Sequence, residues 1–186
     1  GFVSAYPCTQ GRPTASNVNY SAGQTVADLV ALQPDANGDV CFYTNTPTDV
    51  IWDQTVETSA VTSHNAVRLL DTPTTGPSLG AGQSRQLHVT GTGAATVFGT
   101  LTVTNPTGPG FVSAYPCTQG RPTASNVNYS AGRTVADLVA VQPDANGDVC
   151  FYTNTPTDVI WDQTVETSAV TSHNAVRLLD TRVGSS

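Results

Sequence analysis

The sequence predicts an all-β protein made of antiparallel β-sandwiches, immunoglobulin-like or similar, repeated in tandem. Three observations predict this class: a nearly perfect internal repeat, short alternating strands separated by turn residues, and one pair of cysteines in each copy of the repeat. Many short strands at such spacing are typical of antiparallel sandwiches, and we expect about seven to nine of them per period.

The repeat organises most of the chain. Gly1 to Thr72 aligns without gaps on Gly110 to Thr181, and only Gln24 against Arg133 and Leu32 against Val141 differ. We call these two segments the first and second blocks. The repeat predicts a first copy, residues 1–72, that lacks its N-terminal strands. It predicts a second, complete copy, residues 73–186, made of single-copy strands (73–109), the duplicated block (110–181) and a tail (182–186).

Six candidate strands recur in both blocks, and they are rich in the Thr, Val, Tyr and Phe that strands favour. In the first block they are Phe2 to Tyr6, Ala15 to Tyr20, Thr25 to Leu32, Asp39 to Thr44, Asp49 to Val56 and Ala66 to Asp71. Thr25 to Leu32 also fits helical spacing. The Asn37-Gly38 pair predicts a β-hairpin, because both residues accept positive φ.

The segment that occurs once also contributes strands. Arg85 to Val89 and Ala95 to Thr104 both alternate apolar and polar residues at period two. Only Pro73 to Gly82 and Asn105 to Gly110, rich in Pro and Gly, have the composition of connectors.

Composition excludes several classes of function. The chain has 7 arginines, no lysine and a formal charge of −7, so it cannot build the basic face that nucleic-acid binding requires. No apolar stretch reaches the roughly 18 residues that a transmembrane helix needs, and we expect no membrane insertion.

The four cysteines favour one disulfide in each block. Cys8 and Cys41, and likewise Cys117 and Cys150, are separated by 33 residues, too far for a CxxC redox or zinc pattern. Two such bridges would persist only in an oxidising compartment, so we expect a secreted or cell-surface protein.

No residue pattern points to catalysis, and we expect no enzyme, cofactor or metal. Asp35, Asn37 and Asp39 could offer oxygens to Ca²⁺, although no glutamate follows at the spacing of a calcium loop. The histidines, His64, His88 and His173, lack a nucleophile context. Asp53 with Glu57, repeated as Asp162 with Glu166, could in principle act as a glycosidase pair, but a solvated sheet face explains them better.

Two further patterns have structural explanations. We expect Arg68 and Asp71, like Arg177 and Asp180, to form an ion pair that fixes a strand end. The aromatic residues Tyr6, Tyr20, Tyr43 and Trp52 could form a sugar-stacking platform, which would make the chain a carbohydrate- or cell-wall-binding module. Packing inside or at the edge of a sandwich is the alternative.

Several motifs together resemble a known repeat family. They are Gly1-Phe-Val-Ser-Ala-Tyr-Pro-Cys8, Arg12-Pro-Thr-Ala-Ser-Asn-Val-Asn-Tyr20, Ala22-Gly-Gln-Thr-Val26, Val40-Cys-Phe-Tyr43, Thr48-Asp-Val-Ile51 and Arg68-Leu-Leu-Asp-Thr72. They are similar to tandem repeats of secreted and cell-surface actinobacterial proteins. The order of motifs in that family implies that a unit runs from Arg68 to Asp162, so that Leu79 to Thr104 belongs with the block that follows it.

A first copy without these strands would expose apolar core and unpaired backbone groups, which invites strand addition. We therefore expect a structural protein of a surface stalk, adhesin or head-to-tail fibre, assembled by strand completion between units. Its partners would be copies of itself or neighbouring repeats, or cell-wall glycan in the alternative function. The predicted assembly residues are Leu87, Val89, Val97, Leu101, Val103, Arg177, Leu178 and Leu179.

Overall fold

The structure, a computed structural model, describes residues 1–24, 26, 28–52, 61, 63–89, 96–172 and 174. In this part of the chain nearly all regular structure is β. The elements are β1 (Phe2–Pro7), β2 (Val18–Asn19), β3 (Val40–Thr44), β4 (Ser63–Asp71), α1 (Thr72–Thr75), β5 (Ser84–His88), β6 (Thr96–Thr104), β7 (Gly110–Pro116), β8 (Val127–Tyr129), β9 (Val135–Val141), β10 (Asp148–Thr153) and β11 (Asp158–Thr167).

Eight of the strands form two antiparallel sheets that share one hydrophobic core. One sheet has the order β4-β11-β6-β9 and the other has the order β5-β10-β7-β8. We call this pair of sheets the two-sheet unit. Its strand number agrees with the seven to nine that the sequence predicts for one period.

Strand β6 is central to the first of these sheets. It pairs with β11 from Thr104↔Asp158 to Thr96↔Thr167, and with β9 from Val103↔Val135 to Val97↔Val141. Val97, Leu101 and Val103 alternate toward the core and are fully buried, as the period-two pattern predicts. The single-copy segment therefore supplies the strand that joins two strands of the second block.

The first block has a different architecture. Its described residues form one three-stranded antiparallel sheet, β2-β1-β3, which corresponds to β8-β7-β10 of the two-sheet unit. No strand occurs at residues 26, 28–32 or 49–52, although the corresponding residues of the second block lie in or beside β9 and β11. The predicted strands Thr25 to Leu32 and Asp49 to Val56 are thus wrong for the described residues of the first block. The same predictions are confirmed in the second block, because β6 is present there to pair with them.

The last strand of the first block lies in the two-sheet unit. β4 pairs antiparallel with β11, with Leu70 opposite Trp161 and Arg68 opposite Asp162. The boundary that the repeat sets after Thr72 therefore differs from the place where the chain packs, since Ser63–Asp71 completes the sheet of the following block.

The predicted Asn-Gly turn forms, but the predicted hairpin does not form around it in the second block. Gly38 and Gly147 have φ of 86° and 82°, so the predicted turn forms in both blocks. It is not a hairpin in the second block, because β9 and β10, which flank it, lie in opposite sheets.

A single helical turn, α1, starts the connector at Thr72, where Pro73 occupies a first-turn position that requires no amide donor.

Both predicted disulfides are present. Cys8 bonds to Cys41 and Cys117 bonds to Cys150, each with Cα atoms 4.9 Å apart. The first cysteine of each bridge directly follows β1 or β7, and the second lies in the neighbouring strand, β3 or β10. Two such bridges favour an oxidising compartment. In the described residues, no helix is long and apolar enough to cross a membrane.

Candidate assembly surface: the open core face of the first block

The same apolar side chains are exposed in the first block and buried in the second. Three pairs of equivalent residues show the difference most clearly. They are Val50 and Val159 (43% and 0% exposed), Phe42 and Phe151 (39% and 0%), and Trp52 and Trp161 (44% and 0%). Because the sequences match, the difference arises from what covers these side chains. We call the face formed by Val50, Phe42 and Trp52 the open core face.

The aromatic pair at the centre of this face forms in both blocks. The ring centroids of Phe42 and Trp52 are 5.5 Å apart, and those of Phe151 and Trp161 are 5.4 Å apart. The aromatic pair is therefore present in the open block as well as in the covered one. The first block presents a preformed apolar surface, which is the kind of patch that marks an interaction site.

One edge of the first sheet also has no pairing strand among the residues that the structure describes. In the two-sheet unit, β10 pairs with β5 over Asp148↔His88 to Tyr152↔Ser84. The equivalent strand β3 pairs only with β1 among the described residues. Unpaired edge groups on such a strand can pair with an added strand.

Strand β4 shows how one block completes the next. The Arg68 guanidinium donates to both carboxylate oxygens of Asp162, at 2.8 and 2.9 Å, and to Asp71 at 3.2 Å. Hydrogen bonding and the charge of Asp162 hold the pKa of Arg68 above its ordinary value, although burial alone would lower it. The predicted Arg68–Asp71 pair is thus confirmed, but sequence reasoning missed Asp162 as the principal partner. A carboxylate in the middle of an apolar strand was the signal that could have indicated it.

Thr72 also connects the end of the first block to the start of β11 in the second block. Its hydroxyl donates to Asp158 Oδ1 at 3.0 Å and accepts from the Val159 amide at 2.9 Å. Burial alone would raise the pKa of Asp158, but hydrogen bonds from Ser78, Asn105 and Thr72 lower it below the ordinary value. These contacts fix the start of β11. Asp49, the equivalent of Asp158, is exposed.

The predicted assembly residues fall into two groups. Leu87 packs against the core of the two-sheet unit, and Val89, Val97, Leu101 and Val103 are buried in or beside that core. These five therefore complete the second block within the same chain, and their role between chains stays a prediction. Arg177, Leu178 and Leu179 lie outside the described residues.

The other candidate residues are engaged in local contacts. The Asp35 carboxylate accepts hydrogen bonds from the amides of Asp39, Asn37 and Thr9, which lower its pKa, so it faces the turn that it stabilises.

The histidines and the carboxylate pairs are also engaged locally where the structure describes them. His88 Nδ1 lies 2.9 Å from Asp148, and His64 Nδ1 lies 2.8 Å from the carbonyl of Asn65. The predicted solvated sheet face is wrong at Asp162, which is fully buried and bonded to the Arg68 guanidinium. His173, Asp53 and Glu57 lie outside the described residues.

The aromatic residues do not form a platform on the two-sheet unit. Trp161, Tyr129 and Tyr115 are buried there, and Tyr152 is covered by Arg121, whose guanidinium carbon lies 4.2 Å from the ring centroid. Arg12 covers Tyr43 in the first block at the same distance.

A pair of equivalent carboxyl groups meets where the first block touches the second. Asp28 Oδ1 lies 3.4 Å from the amide nitrogen of Leu138, on the outer edge of β9, and its carboxyl neighbours that of Asp137. Burial and the charge of Asp137 raise the pKa of Asp28 to about 7. The contact therefore favours protonated Asp28.

Comparisons with protein-family models, with curated proteins and with solved structures give no match to this chain.

Proposed function

We propose that this chain is a structural, extracellular tandem-repeat protein of a cell-surface stalk, adhesin or head-to-tail fibre. Its units are antiparallel β-sandwiches, immunoglobulin-like or similar, and each is completed by strands from outside its own block. One observation carries the proposal: nearly identical blocks are covered in one position and open in the other, as Trp161 and Trp52 illustrate.

The sharing of β4 supports assembly by strand completion. The first block ends in a strand that pairs with β11 of the second block, with Leu70 opposite Trp161 and Arg68 opposite Asp162. Thr72, directly after this strand, bonds to Asp158 at the start of β11. The equivalent motif in block two is Arg177 to Thr181, close to the end of this sequence. That segment would begin the next unit, whether the next unit follows in a longer polypeptide or is the open first block of another chain. Repetition of such heterologous contacts produces a filament.

The two disulfides and the resemblance to actinobacterial surface repeats support an extracellular location and a structural role. A catalytically inert array of identical units would provide extension or multivalency. The alternative, a carbohydrate- or cell-wall-binding module, requires exposed aromatic residues on one face. In the second block the burial of Trp161, Tyr129 and Tyr115 weighs against it. In the first block Phe42 and Trp52 are exposed side by side, so the alternative would depend on the open core face alone.

The size of the oxidised chain tests the proposal. Light scattering over a concentration series, combined with negative-stain electron microscopy, should reveal fibres of uniform width. A Leu179→Asp variant should remain small, because its equivalent in the first block, Leu70, is buried in the core and a charge would enter that apolar contact. A matched Ser185→Asp variant should still form fibres. A compact monomer at every concentration would contradict head-to-tail assembly.

A further inference from the structure

We propose that the open core face of the first block binds a three-strand segment with the sequence of Ser63 to Asn105, supplied by another repeat of this type. This inference rests on the proposed function and names the partner. The segment contains β4, β5 and β6, which cover the equivalent face in the second block. The contacts of that block therefore specify the expected register.

The β6-type strand would form the centre of the completed sheet. In the two-sheet unit, β6 lies between β11 and β9, with Leu101 opposite Trp161 on one side and Asp137 on the other. The equivalent positions in the first block are Trp52 and Asp28. Both lie in segments without a strand partner among the described residues, and Ile51 beside Trp52 is 86% exposed. Within the described part of the chain, a central strand is the element that these segments lack.

The β5-type strand would pair with the open edge of β3. In the second block, side chains reinforce the same pairing. Gln86 Nε2 donates to Asp148 at 2.6 Å, and the hydroxyls of Ser84 and Tyr115 are 2.9 Å apart. The acceptor Asp148 has its equivalent in Asp39, an exposed residue next to β3. The receiving groups are therefore already present in the first block.

The β4-type strand would add to the segment that contains Ile51 and Trp52. By the register of the second block, Asp71 would lie opposite Ile51 and Leu70 opposite Trp52. Thr72 would reach Asp49 as it reaches Asp158. All three strands of the segment thus have a receiving partner in the first block.

A glycine gives this recognition its specificity. A Cβ added at Gly99 would lie 2.6 Å from Trp161 Cζ2 and 2.8 Å from the carbonyl oxygen of Asp162. If the segment binds in the same register, Gly99 faces Trp52. A Gly99→Val peptide would then clash with the indole, although valine raises strand propensity and apolar area. Nonspecific apolar adhesion predicts the opposite effect.

Tryptophan fluorescence of the complete oxidised chain provides the test. The chain has only two tryptophans, and Ser63 to Asn105 contains none. Since Trp161 is already buried, any shielding by the added peptide must come from Trp52. We expect a shift of the emission to shorter wavelength and loss of the acrylamide-accessible fraction. The Gly99→Val peptide should cause neither change, and the Trp52→Phe chain should not respond to the native peptide.

Four outcomes would overturn this proposal, and a fifth would overturn only the proposed function. Equal protection by the native and Gly99→Val peptides would indicate nonspecific adhesion, and protection by neither would exclude the site. Equal protection by a peptide of Ser172 to Ser186 would assign the face to the tail strand alone. Fibre formation without peptide binding would remove this partner and leave the proposed function standing. Specific binding of the peptide to a chain that stays monomeric would support this partner and overturn the head-to-tail fibre.

Discussion

Gly99 lies directly against the indole of Trp161, so closely that a methyl group at position 99 would stand 2.6 Å from the ring. The backbone carbonyl of Asp162 borders the same space at 2.8 Å. The ring is buried because β6 passes beside it without a side chain at this position. The contact joins the single-copy segment to the duplicated block and is thus part of what completes the core.

Replacing this glycine should destabilise the two-sheet unit. We expect Gly99→Ala to cost about 1–3 kcal/mol in the free energy of unfolding, since overpacking of a filled core costs that much. Gly120→Ala is the matched control, because a Cβ there meets nothing within 4 Å. Urea unfolding monitored by circular dichroism would measure both variants. Equal stability of the two would contradict the packing at Gly99.

Equivalent phenylalanines should differ in their contribution to stability. Phe151→Ala removes a fully buried ring and should cost about 3–5 kcal/mol. Phe42→Ala removes the same ring from the open core face and should cost about 1 kcal/mol or less, because little apolar area leaves water there. The same unfolding experiment compares the two variants, and similar losses would show that both faces are covered.

The ion pair between Arg68 and Asp162 should be sensitive to removal of one partner. Arg68→Met leaves a buried carboxylate without its cation and should cost about 3–5 kcal/mol. A double variant, Arg68→Met with Asp162→Asn, should recover part of this loss, since no charge remains buried. Thermal unfolding of the single and double variants measures the coupling. A single variant as stable as the native chain would exclude a structural role for the pair.

The contact of Asp28 with the second block should weaken as the pH rises. An unfolded aspartate titrates near 3.9, whereas burial and Asp137 raise the pKa of folded Asp28 to about 7. The folded contact binds the proton more tightly, so its stabilisation is complete below about pH 4 and is lost as the pH rises through 7.

An NMR titration of the Asp28 carboxyl and of the Leu138 amide measures this effect. Asp28→Asn should abolish the pH dependence at Leu138. Asp137→Asn should lower the midpoint and leave the contribution of burial. A midpoint of the native chain near 4 would disprove the carboxyl pair.

Much of the fold was predictable because the determining signals are local. Period-two alternation located β5 and β6, the cysteine spacing predicted both bridges, and the Asn-Gly pairs located the turns. The ion pair of Arg68 with Asp71 was also within reach, since the two residues are three positions apart.

What the sequence could not indicate depends on distant partners. The block alone does not reveal that Asp158–Thr167 is a strand while Val50, Ile51 and Trp52 are not, because a strand requires a neighbour and β6 lies outside the block. Asp162 as partner of Arg68, and Asp137 as neighbour of Asp28, are likewise contacts between residues about a hundred positions apart, which no local pattern encodes.

The most direct experiment adds a copy of Ser63 to Pro109 before Gly1, so that the first block has the same preceding sequence as the second. Acrylamide quenching of the extended chain and of its Trp161→Phe and Trp52→Phe variants reports each indole separately. If missing strands explain the open core face, Trp52 should become as protected as Trp161. A Trp52 that stays as accessible as in the original chain would show that the openness has another cause.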